Sequence, residues 1–128
     1  MAANITPIFP ITPRIETQQI ATADGTDKKL IFAPSTNGSR VNIIGASSTD
    51  TAIITLNFYV SKDSGSTFSF LGFLTIAAGF QGVVSSGIPC FDLAVGMAIP
   101  SGSDIYVAAS AAVTVDKVVS FSVIGSDY

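Results

Sequence analysis

The chain has 128 residues, 48% of them apolar and only 12% charged, with a formal net charge of -3, one cysteine and no histidine. That length holds one domain with a hydrophobic core and not two of ordinary size. The charge balance excludes a nucleic-acid coat, which needs a concentrated basic patch; the lone Cys90 excludes an internal disulfide, and the missing imidazole removes the usual neutral-pH base and nitrogen metal ligand.

The first thirteen residues carry Pro7, Pro10 and Pro13, which forbid a continuous helix and disfavour a central strand. Ile5, Ile8, Phe9 and Ile11 sit between them, so residues 1–13 are expected to form an extended arm that lies on its own domain or on a neighbouring subunit. An unordered terminus is the alternative. MAANITPIFP has no positive stretch ahead of an apolar run, so no secretory signal is expected, and no apolar run reaches the length of a membrane span.

Residues 14–128 read as a single domain of short strands. Arg14–Ile20 is followed by a turn at Ala23-Asp24-Gly25, then by Lys28–Ala33, which Pro34 stops. Asn37-Gly38 is a strong turn signal because both residues tolerate positive φ, and Val41–Ala46 follows it. In AIITLNFYV, Ile54, Leu56, Phe58 and Val60 share one face while Thr55, Asn57 and Tyr59 share the other, the signature of a half-buried strand. TFSFLGFLTI puts Phe68, Phe70, Gly72, Leu74 and Ile76 at one parity and Phe73 opposite, an assignment that a one-residue bulge at Gly72 reverses.

A flexible connection surrounds a short Val83-Val84 element, and Cys90–Leu93 is a second short extended piece, with Cys90 read as a small buried hydrophobe. The turn Ile99–Ser103 leads into Asp104–Ser110, where Ile105, Val107 and Ala109 alternate with Tyr106 and Ala108. Lys117–Ile124 ends the series with Val119, Phe121 and Val123 inward. About eight short strands with Gly, Pro, Ser, Asn and Asp turns, and no crossover helix, predict an all-β fold: an antiparallel β-sandwich or a jelly-roll-like barrel.

The chemistry open to this surface is narrow. Asp24 with Asp27, or Asp50 with Asp63, would make an acid and base pair only in a shared cleft, and surface turns explain them more simply. The Ala23–Asp27 oxygens lack the spacing of a calcium loop, and no glycine-rich phosphate loop is present. No catalytic residue, metal, cofactor or small-molecule substrate is therefore expected. Tyr59, Tyr106 and Asn57 could line a sugar-binding surface, and a structural or interaction role is the stronger reading. A surface so poor in charge invites burial against other copies, with Tyr59, Phe73, Phe80 and Tyr106 as contact residues; a homotrimer is favoured over a dimer or pentamer.

Together, the strand start Thr26–Phe32, the pair Val41–Ala46 and Ala52–Val60, Leu71-Gly72-Phe73-Leu74-Thr75-Ile76, Phe91-Asp92-Leu93, the turn and strand Ile99–Val107, and the ending Ser122–Tyr128 resemble small virion structural proteins of tailed bacteriophages. The likeness covers nearly all the chain after the arm and consists of strand and turn grammar. It implies a β-sandwich made in the host cytoplasm that binds the major capsid protein on the outer capsid surface as a decoration or cement protein. The longer Ala78–Gly87 connection departs from that pattern and leaves open a tail, neck or fibre location. A glycan-binding module is the alternative from another class.

Overall fold

The computed structural model describes residues 11–79, 81–84 and 97–128. The expected extended piece Cys90–Leu93 lies outside the described residues. So do Ile5, Ile8, Phe9 and Phe80.

Nine strands are present among the described residues: β1 Thr12–Ala21, β2 Lys29–Phe32, β3 Ser39–Ser48, β4 Ile54–Ser61, β5 Ser69–Ile76, β6 Gln81–Val84, β7 Met97–Ile99, β8 Asp104–Ala109 and β9 Val118–Asp127. One sheet runs β1-β9-β3-β6, with β7 also paired to β3, and the other runs β2-β8-β4-β5. Every pairing is antiparallel. The fold is an all-β sandwich, as the strand count predicts. No described helix is long and apolar enough to cross a membrane.

The alternation in β4 decides its placement. Ile54, Leu56 and Phe58 are buried, and Val60 packs at the margin of the same cluster. β9 contributes Val119, Phe121 and Val123 from the opposite sheet, and β8 contributes Ile105, Val107 and Ala109. Phe58 and Phe121 meet edge to face at 6.5 Å and 88°, which ties the middle of one sheet to the middle of the other. Each fully buried Val, Leu, Ile or Phe among them contributes roughly 1.5–3 kcal/mol by leaving water.

Two local features differ from the sequence expectation and a third agrees with it. β1 opens at Thr12, ahead of the expected start at Arg14, and the N–H of Ile11 donates to Asp127 O. Pro13 is compatible with this because β1 is an edge strand, where a missing donor costs no ladder bond on the solvent side. Met97–Ile99 is a strand rather than the lead-in to a turn, paired with Ser39–Val41. The Asn37-Gly38 turn does form, with φ of 90° at Gly38 and its N–H donating to Ser35 O at 2.9 Å.

Polar knots close the ends of the sandwich. The Asp50 carboxylate, itself 1% exposed, accepts the N–H and hydroxyl of Thr114, each at 2.8 Å, and the N–H of Ala52 at 2.9 Å. The carbonyl of Asp50 accepts the Gly79 N–H at 3.0 Å, so three loops converge on one residue. At the other end the Arg14 guanidinium lies 4.5 Å from the centre of the Phe32 ring and donates to Glu16 and Asp127, while the Ser39 hydroxyl donates to Asp127. Among the described residues no buried side-chain polar atom lacks a partner.

Candidate interaction surface

The outward faces of the two sheets have different chemistry. On the five-stranded sheet a shallow hollow is lined by Thr17, Gln18, Gln19, Ser120, Phe121 and Ser122, and beside it the exposed pair Ile15 and Ile124 face one another across β1 and β9.

The four-stranded sheet presents aromatic groups instead. The ladder places Leu30 opposite Tyr106, Tyr106 opposite Tyr59, and Tyr59 opposite Phe70, so one row crosses all four strands. The neighbouring row is Ala108, Asn57 and Phe73, and beyond it Thr55 and Thr75 face one another. Phe70 is 58% exposed, Phe73 46% and Leu30 41%. Cross-strand neighbours stand close enough for their rings to touch, and Tyr59 and Phe70 do so with centroids 5.7 Å apart.

Phe68 locks this row from above the β4–β5 hairpin. Its ring lies 4.9 Å from Tyr106 and 6.2 Å from Tyr59, edge to face in both cases. The Lys28 ammonium stands 4.8 Å from the Tyr59 centroid and 5.0 Å from that of Phe68. A cation over two ring faces adds attraction and puts one positive charge at the edge of an otherwise apolar platform.

The hairpin loop sets where Phe68 sits. Asp63 accepts the Ser61 hydroxyl at 2.9 Å, the N–H of Ser66 at 3.1 Å, the N–H of Thr67 at 2.8 Å and the Thr67 hydroxyl. Ser64 and Gly65 follow with φ of 59° and 90°. A Cβ on Gly65 would stand 2.9 Å from the Tyr106 hydroxyl, so glycine here serves both the turn and the close approach of that ring.

These hydrogen bonds, led by the Thr67 hydroxyl and then the Thr67 N–H, hold the Asp63 pKa down to about 2 from its ordinary 3.8. A carboxylate with a depressed folded pKa contributes stability that is complete above its unfolded pKa and disappears as pH falls through the folded value. Stability is therefore expected to fall between about pH 4 and pH 2. Asp50 and Asp24 add to the same loss, their pKa values lowered chiefly by the N–H groups of Thr114 and Ala21. Urea midpoints measured across that window should fall less steeply for Asp63→Asn than for the unaltered chain; superimposable profiles would show that the loop carboxylate contributes nothing.

Of the contact residues expected from sequence, Tyr59, Tyr106 and Phe73 share this one face. Ile11 is apart from them, 79% exposed at the start of β1 on the other sheet. The parity reading is corrected at Phe70. Phe58 pairs with Gly72 and Tyr59 with Phe70, which leaves Leu71 as the extra residue of a bulge. Phe70 and Phe73 consequently point outward together, while Gly72, Leu74 and Ile76 turn toward the core side. Lys28, Leu30, Phe68 and Phe70 complete the surface and were not singled out by sequence reasoning. The adjacency of Ser64-Gly65 to an aromatic-rich strand was the available signal.

Among the described residues no group of three His, Cys, Asp or Glu could hold a metal ion. Comparison with protein-family models, with curated proteins and with solved structures finds no match.

Proposed function

We propose that this chain is a non-enzymatic structural protein of a phage particle, which binds the assembled capsid as a decoration or cement protein. The observation that carries this reading is the aromatic row Leu30–Tyr106–Tyr59–Phe70, an apolar exterior on a body with few charges. Apolar contact suits a shell-bracing role, since salt weakens it less than it weakens surface ion pairs.

Stabilisation then follows from mass action. A protein that binds the closed shell better than its separated subunits shifts the equilibrium toward the closed shell, and each occupied site adds to that shift. Interfaces of ~1,600 Å² are ordinary for such specific contacts.

The test uses particles lacking this chain, with the purified protein added back and occupancy read by co-sedimentation. Phe70→Ser and Leu30→Ser change exposed side chains and should leave the melting transition close to its original position. A central aromatic contact is worth ~2 kcal/mol or more, so Phe70→Ser should weaken attachment by roughly thirtyfold. Removal of Met1–Pro10, which leaves β1 intact, tests the arm separately. Full occupancy by Phe70→Ser and by the truncated chain alike would exclude this mode of attachment. Imaging of the particle distinguishes a capsid position from a tail, neck or fibre position.

The same rings also favour a second reading, a glycan-binding module. Exposed aromatic faces stack on the apolar faces of sugars, and Asn57 and Lys28 offer donors beside them. Specific signals on a glycan array that Phe70→Ser abolishes would favour this reading.

A further inference from the structure

Asn37-Gly38 makes a turn, and the same two residues are open to a reaction of their own main chain. Among the asparagines of the chain, Asn37 alone precedes a residue without a side chain; Asn4, Asn42 and Asn57 precede Ile5, Ile43 and Phe58. Ring closure is therefore unobstructed at Asn37. The Gly38 nitrogen attacks the side-chain carbonyl carbon of Asn37 and forms a C–N bond, its proton passing to water, while the amide takes up a proton and leaves as ammonia. Water then breaks either C–N bond of the resulting five-membered imide, its hydroxyl going to carbon and its proton to nitrogen. The product is aspartate, or isoaspartate with the main chain routed through the side chain. Nothing is oxidised or reduced, and water is the only co-reactant.

The fold restrains this reaction. Asn37 is exposed, so water reaches it, but the nucleophile is engaged: the Gly38 N–H donates to Ser35 O at 2.9 Å. Gly38 is buried with φ of 90°, and its carbonyl accepts the Ser35 hydroxyl at 2.6 Å and the Tyr128 N–H at 3.2 Å. Ser35 is tied in turn, its N–H donating to the Ser39 hydroxyl at 2.9 Å, which donates to Asp127. A Cβ on Gly38 would stand 3.0 Å from Ile99 O, so the start of β3 and the ends of β7 and β9 converge on this glycine. Swinging its nitrogen toward the Asn37 side chain breaks these contacts together.

We propose that Asn37 is a site of spontaneous deamidation gated by opening of this corner, converted in the folded chain only while Gly38 is released. Conversion to isoaspartate then reinforces itself. The main chain gains a carbon between residues 37 and 38, so Gly38 no longer meets Ser35, Tyr128 and Ile99 at once, and the corner stays looser. The Asp24-Gly25 step differs in kind, because Asp24 is a carboxylate that accepts the Ala21 N–H at 2.8 Å, and an ionised carboxylate is a poor target for a nucleophile. The reaction needs no partner and is independent of the particle reading.

The test incubates the full purified chain at mildly alkaline pH, folded or in guanidinium, and follows asparagine, aspartate and isoaspartate at each position by peptide mapping with mass detection. Conversion is expected at Asn37 ahead of Asn42 and Asn57, and at least about tenfold slower in the folded chain, since local opening must precede it. Ser35→Ala removes the hydroxyl from Gly38 O and keeps the Ser35 carbonyl. It should speed conversion in the folded chain about threefold or more, the effect of one net hydrogen bond, and leave the rate in guanidinium unchanged. If Ser35→Ala fails to fold, hydrogen exchange of the Gly38 amide in the unaltered chain decides: denaturant below the unfolding transition should raise exchange and conversion in parallel. Converted chain, separated by its added charge, should exchange the Gly38 and Tyr128 amides faster than unconverted chain. Equal rates in the folded and unfolded chain, no preference for Asn37, conversion indifferent to both Ser35→Ala and Gly38 exchange, or unchanged exchange after conversion would overturn the proposal.

Discussion

Phe58→Ala is expected to lower the free energy of unfolding by about 3–5 kcal/mol, the range for a large aromatic lost from a packed core. Phe58 is fully buried on β4, which lies between β8 and β5, and its ring meets Phe121 of β9, which lies between β1 and β3. Neither strand can move inward to fill the void without shifting two ladders at once. The cavity therefore persists, and the Phe121 ring loses its edge-to-face partner as well. A domain of ordinary stability has ~5–15 kcal/mol in total, so the variant should be near the limit of folding at body temperature. Urea denaturation of Phe58→Ala beside Phe70→Ala gives the comparison. Phe70 is largely exposed and its truncation should cost about 1 kcal/mol or less. Equal losses at the two positions would mean that the sheets are not joined through Phe58.

Gly125→Ala is expected to cost ~3 kcal/mol, the upper part of the range for forcing an extra methyl into a filled space. Gly125 lies on β9 between Arg14 of β1 and Val41 of β3, beside the bulge that separates Val41 from Ile43. A Cβ there would fall well inside van der Waals contact with the Arg40 carbonyl oxygen, and 3.3 Å from the Val41 Cα. The obstacle is main chain, which cannot rotate away as a side chain can. Gly102 supplies the contrast. It has φ of 81° with open space around it, so Gly102→Ala meets only the strain of a left-handed backbone, about 1–2 kcal/mol. Thermal melts of both variants separate the two causes. A larger loss at Gly102 would show that β3 and β9 separate easily at the bulge.

Much of the sandwich is visible in the sequence because a strand with one buried face must alternate. Ile54, Leu56 and Phe58 alternate with Thr55, Asn57 and Tyr59, and Val119, Phe121 and Val123 do the same without interruption. The Asn37-Gly38 turn is equally legible, since the left-handed backbone at Gly38 favours glycine. Part of the candidate surface follows from the same alternation: Tyr59 and Tyr106 had to face away from the core once their neighbours faced it.

Alternation fails where the register slips. The extra residue at Leu71 makes Phe70 and Phe73 neighbours on one face, although their spacing in the chain assigns them to opposite faces. No composition or spacing rule reveals which residue of LGF takes the bulge, because that choice depends on the pairing with β4. Asp50 meets Thr114 across 64 positions, and Lys28 meets Tyr59 and Phe68 from a different strand pair. Such contacts arise only once strands far apart in the chain have taken their places beside one another.

The sequence by itself determined that this protein is built of short antiparallel strands with a core drawn from their alternate positions, because period-two burial is a local property of the chain. Only the tertiary structure decided which strands stand at the edges, which aromatic rings share the outer face and which glycine admits a neighbouring backbone. Those depend on register and sheet order, which are set by partners far away in the chain.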